Sequence, residues 1–356
     1  MFPRMPTASF AHVLAALALL SGCRAPASTP QPLPVPTGTV VVSNMNDNTA
    51  TIIDAATGHV RATLPTGPTP HEVTISRDGR TAVVSNYGVR GRPGNSLTVI
   101  DVESAVVLRT LTLTAFQRPH GMAFLPGDTL LAVTSEPAQA VLLVDVRDGR
   151  VVTTLPTNGR TSHMLGLAAN GDRLVTGNMS DNTISVIDVA RRDSTALIAV
   201  ARQPEGIALS PDGRWVWAGS NLDSLVVVID LRRGAAVDTV RGFGMPYRIA
   251  VTPDGATVVV SDPLRGEVRV IGAADHRNRF RIAVPHDGIV ATAEFPRSPS
   301  PEGVAVSRDS RWAFVTLQGR NQMATIDLAR GVIVAYAPTG VWSDGIGYSP
   351  VSGIPQ

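Results

Sequence analysis

The sequence predicts an all-β fold: a seven-bladed β-propeller of four-stranded antiparallel blades, closed by pairing of the N- and C-terminal strands. Three observations carry this reading: a recurring unit, its period, and a phase offset between the two ends of the chain. The unit is a short apolar strand opened by a Pro-His-Gly-like step, a Ser-x-Asp-Gly-like turn, and a later strand ending in Val-Ile-Asp or a close variant. Its last position falls at Asp54, Asp101, Asp145, Asp188, Asp230, Gly272 and Asp327, at intervals of 47, 44, 43, 42, 42 and 55 residues. A repeat of about 42 residues with several short strands is the mark of a propeller. Such a ring brings one residue per repeat to a shared axis.

Residues 204–230 are the cleanest copy. Ile207–Leu209 reads as strand a, Pro211-Asp212-Gly213 as a tight turn, Trp215–Gly219 as strand b, Leu225–Ile229 as strand c, and about Ala236–Val240 as strand d. The Asp-Gly pair suits a hairpin because glycine tolerates positive φ and the aspartate side chain bonds nearby backbone. In the preceding copy Ile184 and Val186 alternate with Thr183 and Ser185, as a strand between layers requires. The phase offset closes the ring. The first unit starts at a strand b, Thr39–Ser43, and the last ends with an unpaired strand a, Gly345–Tyr348. Side by side these complete one blade and hide both sheet edges.

Composition agrees. Val and Ile are plentiful and Gly (32) and Pro (27) frequent, which favours strands joined by turns over long helices. The repeat fills nearly all of the 356 residues, so the body is one domain. Every basic side chain is an arginine, and acids balance them to a formal charge of +2. That is no nucleic-acid-type excess.

The amino terminus reads as a processing segment outside the fold. Arg4 supplies a positive start and Ala11–Leu20 an apolar stretch; Leu20-Ser21-Gly22-Cys23 then resembles a bacterial lipobox, in which the cysteine is lipidated. The alternative is a plain signal peptide with an incidental cysteine. Cys23 is the sole cysteine, so no internal disulfide forms. Arg24 follows it, and the absence of Asp there removes the inner-membrane retention cue that the resemblance implies. The expected division is a signal peptide over 1–22, lipidated Cys23 with a tether over 23–37, and the propeller over 38–356. Pro26, Pro30, Pro32, Pro34 and Pro36 favour an extended, polyproline-like tether. The apolar stretch is too short to persist as a spanning helix. The expected location is extracytoplasmic, at the periplasm or outer membrane of a bacterial envelope, with the membrane a partner through the lipid.

From Gly38 to about Pro350 the repeats resemble the YVTN repeat proteins, including the periplasmic YncE-like group. Val41-Val42-Ser43-Asn44, Val83-Val84-Ser85-Asn86 and Phe314-Val315-Thr316 stand where that family's tetrad lies, followed by elements such as Asn182-Thr183 and Val186-Ile187-Asp188. The tetrad's tyrosine is absent from every copy. No Trp-Asp dipeptide points to WD40 repeats and no Gly-Gly pair to kelch. The resemblance implies a fold; a propeller carries many activities.

Because strands alternate in direction, the d-to-a and b-to-c connections share one face and the short turns share the other. The length variation falls on the first face: Tyr87–Ser96, Thr114–Arg118 and Pro285–Ser300. Binding resides on such loops, unless the insertions are tolerated surface drift. On that face one position per blade opens strand a and should point to the channel mouth: Asp344, His71, His120, His163, Glu205, Tyr247 and Glu302. Neighbours would lie roughly 6 to 9 Å apart between α-carbons, wider than the ~4.8 Å of paired strands. His71, His120 and His163 could then converge on a divalent transition metal at about 2.0 to 2.1 Å. Equally, each histidine could simply bond the next blade, and the family resemblance includes such histidines without a metal role. Arg248 replaces the glycine of this step and is either an anion-binding group or a surface salt bridge. The Val-Ile-Asp aspartates read as turn-fixing residues. Asn46-Asp47-Asn48 and Ser180-Asp181-Asn182 resemble hairpin loops and lack calcium-loop spacing. Trp215, Trp217 and Trp312 read as packing.

Absences narrow the chemistry. The chain has no Gly-x-Ser-x-Gly, His-Glu-x-x-His or Cys-x-x-Cys motif, and no lysine for a phosphate loop. Gly242-Phe243-Gly244 lacks the third glycine of a dinucleotide site. Two function classes follow. The first is a non-enzymatic, lipid-anchored binding or scaffold module whose looped face holds a protein, glycan or small ligand, with Tyr247, Arg248 and Asp344 as ligand-binding candidates. The second is an enzyme or metal site at the mouth, with the three histidines as ligands and Glu205 or Glu302 as base; seven-bladed lactonases and metal- or quinone-dependent oxidoreductase subunits show that the scaffold allows it. Single-stranded nucleic acid is a weaker third, since aromatics are only 4% of residues and leave few stacking platforms.

Overall fold

The structure, a computed structural model, describes Met1, residues 34–290, Thr292 and residues 295–354. The lipobox, Cys23 and most of the expected tether lie outside the described residues. Contacts divide the chain into Met1–Val35 and Pro36–Gln356, and the strands all belong to the second unit. No helix among the described residues is long and apolar enough to cross a membrane.

Seven four-stranded antiparallel sheets form the blades. In blade 1, strand a is Ser343–Ser349, b is Thr39–Asn44, c is Thr49–Asp54 and d is Val60–Pro65. The ends close in register, with Thr39 opposite Ser349, Val40 opposite Tyr348, Val41 opposite Gly347 and Val42 opposite Ile346. Blades 2 to 7 have innermost strands Pro70–Ile75, Pro119–Phe124, Ser162–Leu167, Pro204–Leu209, Ile249–Val251 and Pro301–Val306.

The middle strands are continuous apolar runs because a neighbouring blade covers each of their faces. Val40, Val41 and Val42 are fully buried, as are Val258, Val259 and Val260. The cores therefore sit between blades: Val40, Val42, Ile53, Trp312, Phe314 and Ile346 join blade 7 to blade 1. Burying each such side chain contributes roughly 1.5–3 kcal/mol. Outer strands alternate instead, and in Asn278–Ala283 only Ile282 is buried.

The strand-ending aspartates fix turns. Asp54 Oδ1 accepts the amides of Ala56 and Thr57 at 3.1 and 2.9 Å, and Asp327 Oδ1 those of Ala329 and Arg330 at 3.1 Å. One insertion differs from expectation. Residues 87–96 do not form a loop but prolong strands b and c of blade 2 to Thr81–Val89 and Arg92–Asp101, with Gly88 opposite Pro93. The two glycines at positive φ, Gly88 and Gly91, let this hairpin turn tightly.

Candidate functional site at the channel mouth

A bulge aims the mouth residues inward. In blade 2, Pro70 pairs with Asn86 and Val73 with Val84, so three steps on strand a match two on strand b. The same shift recurs at Pro119/Met122, Ser162/Leu165, Pro204/Ile207 and Pro301/Val304, and in the closing strand between Ser343 and Ile346. The second and third residues of strand a are thus released from the ladder and turned to the axis.

Two devices then hold these residues. Hydroxyls on strand b reach the next blade: Thr134 donates to the His163 carbonyl at 2.6 Å, Ser261 to that of Glu302 at 2.6 Å, Thr316 to that of Asp344 at 2.7 Å, and Ser43 to that of His71. The third position of the step is glycine in four blades, Gly121, Gly206, Gly303 and Gly345. A Cβ at Gly121 would lie 2.7 Å from Leu165 N and 2.8 Å from the His163 carbonyl, and one at Gly303 would overlap the Asp344 carbonyl. Glycine is needed for close approach of backbones, not for an unusual φ.

The seven expected mouth side chains do come together. His71 and His120 have ring centroids 5.3 Å apart, and His120 stacks on His163 at 3.7 Å. His163 Nε2 donates to Glu205 Oε1 at 2.8 Å and its Nδ1 to Glu136 Oε1 at 2.5 Å. On the other side Asp344 Oδ2 lies 3.0 Å from His71 Nδ1, off the hydrogen-bonding direction. Glu302 accepts from Ser300 and Gln318 at 2.8 and 2.9 Å and interacts with Asp344. Above this layer lies a cavity of about 260 Å³ walled by His71, Tyr87, His120, His163, Glu205 and Tyr247, with Gln203, Asn221 and Met245 at its side.

Arg248 is neither a surface salt bridge nor a free anion site. It is 4% exposed and donates to Glu72 Oε1 through Nε and Nη2, at 3.0 and 2.6 Å, and to Glu205 Oε1 through Nη1 at 2.7 Å. Burial disfavours its charge, but Glu72 and the other carboxylates hold its pKa well above the ordinary value.

The environment sorts the titratable groups. Burial alone would depress His163, yet the Glu205 charge and hydrogen bonds to Glu136 and Glu205 hold it up to about 9. Burial would raise Glu205, and His163 and Arg248 pull it down to about 2. His120 is pushed well below 6.5 by burial and then by its cationic neighbours. Burial and the Asp344 charge push Glu302 well above its ordinary range, while His71 and Arg248 draw Asp344 below its own despite burial. One of two adjoining buried carboxyls thus keeps a proton.

These facts bear on the candidate roles. The three histidines do not offer one metal three free nitrogens, because both ring nitrogens of His163 are bound to carboxylates. Among the described residues no group of three His, Cys, Asp or Glu is arranged to hold a metal ion. Glu205, ionised down to about pH 2, is too weak a base for proton abstraction near neutrality. Glu302, whose pKa burial and the Asp344 charge raise, lies outside the cavity lining. Tyr247 lines the cavity; Asp344 lies outside its lining, 1% exposed. Four participants went unnoticed in the sequence: Glu72, Tyr87, Glu136 and Asn221. Glu72 carried a readable signal, since it breaks the glycine position just as Arg248 does. Tyr87 donates to Glu136 Oε2 at 2.7 Å, a contact between blades that no spacing announces.

A family model described as the cytochrome D1 heme domain matches residues 126–348. Among solved structures, hydrazine synthase of Kuenenia stuttgartiensis is similar over 81% of this chain and 91% of that chain, at 19% identity and a TM-score of 0.68. A functionally unknown protein from Desulfotomaculum acetoxidans is similar over 88% of this chain and 100% of that chain, at 13% identity and a TM-score of 0.71. Likeness at such identities shows the fold alone. No curated protein matches the chain.

Proposed function

The chain belongs to the cytochrome D1 heme domain family, and from that premise we propose that it is a ligand-binding propeller, lipidated at Cys23 and held at the bacterial cell envelope, that takes a small molecule into its channel mouth. One observation carries the reading. The cavity wall is assembled from the same repeat position of five blades, in His71, His120, His163, Glu205 and Tyr247. A concave site with a few convergent polar groups on a rigid scaffold is where binding resides.

The family description implies a tetrapyrrole, and the residues in this channel do not fit one. The cavity of about 260 Å³ falls below the roughly 300–1,000 Å³ of drug-sized ligand pockets. Arg248 and Glu72 join blades 6 and 2 across the channel without lining the cavity. Widening the cavity for a flat macrocycle would part its wall, where Glu205 is tied to His163 and Arg248, and breaking a buried pair costs about 3–5 kcal/mol. The mouth suits a smaller guest, and no catalytic step is assigned to it.

Two measurements test the proposal. Metabolic labelling with a fatty acid should mark the wild type and spare Cys23→Ala; equal labelling defeats the anchor. A thermal-shift screen of small polar molecules should return ligands whose effect is lost in Tyr247→Ala. Shifts untouched by that substitution would place binding elsewhere and defeat the mouth.

A further inference from the structure

Resting on the mouth as a binding site, we infer that its ligand is a small organic cation, an ammonium or guanidinium head on a short apolar stem, with the head held by Glu205 and Asn221.

The first ground is a shortage of donors. Glu205 Oε1 already accepts from His163 Nε2 and Arg248 Nη1 at 2.8 and 2.7 Å. Its Oε2 meets only Asn221 Nδ2, at 3.4 Å, the edge of hydrogen-bond range. Asn221 Oδ1 is buried without any partner. Turning the amide over does not cure this, because it would set Oδ1 against Glu205 Oε2, acceptor against acceptor. A second cavity-wall residue, His120, is 1% exposed and leaves Nδ1 unpartnered, 4.0 Å from Glu72 Oε1. Two adjoining acceptors short of donors match a group that brings several N–H bonds. An ammonium carries three and a guanidinium five, and neither has an acceptor to waste there.

The second ground is charge. Four buried carboxyls, Glu72, Glu205, Glu302 and Asp344, with the half-buried Glu136, surround Arg248 and three imidazoles, and Arg118 lies over the Tyr87 ring at the edge. His120 stays neutral through burial beside His163, and Glu302 keeps its proton. The buried cations Arg248 and His163 are both already paired with carboxylates, so an incoming anion meets no free buried cation at the mouth, whereas a cation meets Glu205 Oε2.

The third ground is the wall. Tyr87, Tyr247, His71 and Met245 line the cavity, and Arg118 and Arg248 already lie over the Tyr87 and Tyr247 rings, 4.7 and 4.3 Å from their centroids. Such rings and a thioether cover an apolar stem, which a bare metal ion lacks, and leave the charged head to Glu205 and Asn221. A volume of about 260 Å³ limits the stem to a few carbons.

The test is titration calorimetry on the purified full-length chain with n-butylammonium and n-butylguanidinium as cations, butyrate as anion, 1-butanol as neutral analogue and Zn²⁺ as metal. The inference expects saturable binding of the two cations only, weakened roughly tenfold or more by Glu205→Gln, where a charge-assisted contact is lost. Glu205→Gln also loosens the His163 and Arg248 contacts, so Asn221→Leu is the second variant; it leaves both ion pairs in place and should likewise weaken the cations. Asp148→Asn, on the opposite face, should bind as the wild type does. Binding of butyrate, butanol or Zn²⁺ in place of the amines overturns the cation and leaves the mouth as a binding site. Cation binding indifferent to Asn221→Leu overturns the proposed seat. Silence from every probe overturns the inference, and the thermal-shift screen then judges the mouth independently.

Discussion

Arg248, at the entry to blade 6, donates through Nε and Nη2 to a single oxygen of Glu72 on blade 2, at 3.0 and 2.6 Å. Both residues stand at the repeat position that glycine holds in four other blades. Met164 stands at the same position in blade 4 and packs against the core between blades, whereas the charged side chains of Glu72 and Arg248 find partners in the channel. The two meet across the axis, so an irregularity in the repeat becomes a strut of the ring.

Breaking that strut should be costly and its removal less so. Arg248→Met strands Glu72 in a buried site, a loss of about 3–5 kcal/mol for such a pair. The double variant of Arg248→Met with Glu72→Leu should recover part of that loss in denaturant unfolding. Full additivity of the two single effects would deny the coupling.

The close approach of blades at glycine predicts a second effect. Gly303→Ala sets a Cβ against the Asp344 carbonyl, which the Thr316 hydroxyl also holds. Overpacking of this kind destabilises by roughly 1–3 kcal/mol. An unchanged melting temperature would show that blades 7 and 1 separate freely there.

His163 makes stability depend on pH. Its folded pKa of about 9 lies above the ordinary 6.5, so the folded state holds the proton more tightly. That contribution is complete below about pH 6.5 and drains away as pH rises through about 9. Glu205, depressed from 4.5 to about 2, acts in the opposite window: its contribution is present above pH 4.5 and lost as pH falls through about 2. Between pH 6.5 and 9 the wild type should lose stability while His163→Gln changes less; parallel profiles would count against the assignment.

Ring closure can be tested by truncation. Ending the chain before Ser343 removes the strand that covers Thr39–Asn44 and takes Asp344 from the channel. The cooperative unfolding transition should be lost and blade 1 become open to protease. A truncated chain that melts like the wild type would mean that the ring does not depend on its closing strand.

Much of the architecture was legible because it repeats. Seven copies of a strand, a tight turn related to Ser-x-Asp-Gly and an ending close to Val-Ile-Asp specify strands by local means, and the orphan Gly345–Tyr348 has an obvious place beside Thr39–Ser43. The mouth positions were legible for the same reason, as the residue that opens each strand a, or in blade 6 stands just before it. Residues 87–96 misled as a loop because glycine and proline in that stretch serve a tight hairpin, and pairing across it depends on strands already in place.

The amino-acid sequence by itself determined the blade count, the order of strands, the closure and the seven side chains at the axis, since each follows from a periodic pattern. Only the tertiary structure decided what those side chains do. Whether His163 is a metal ligand or a cation between Glu136 and Glu205, and whether Arg248 faces solvent or Glu72, depends on distances between blades far apart in the chain. Ionisation and pairing in a buried channel are set by neighbours in space, and no local pattern encodes them.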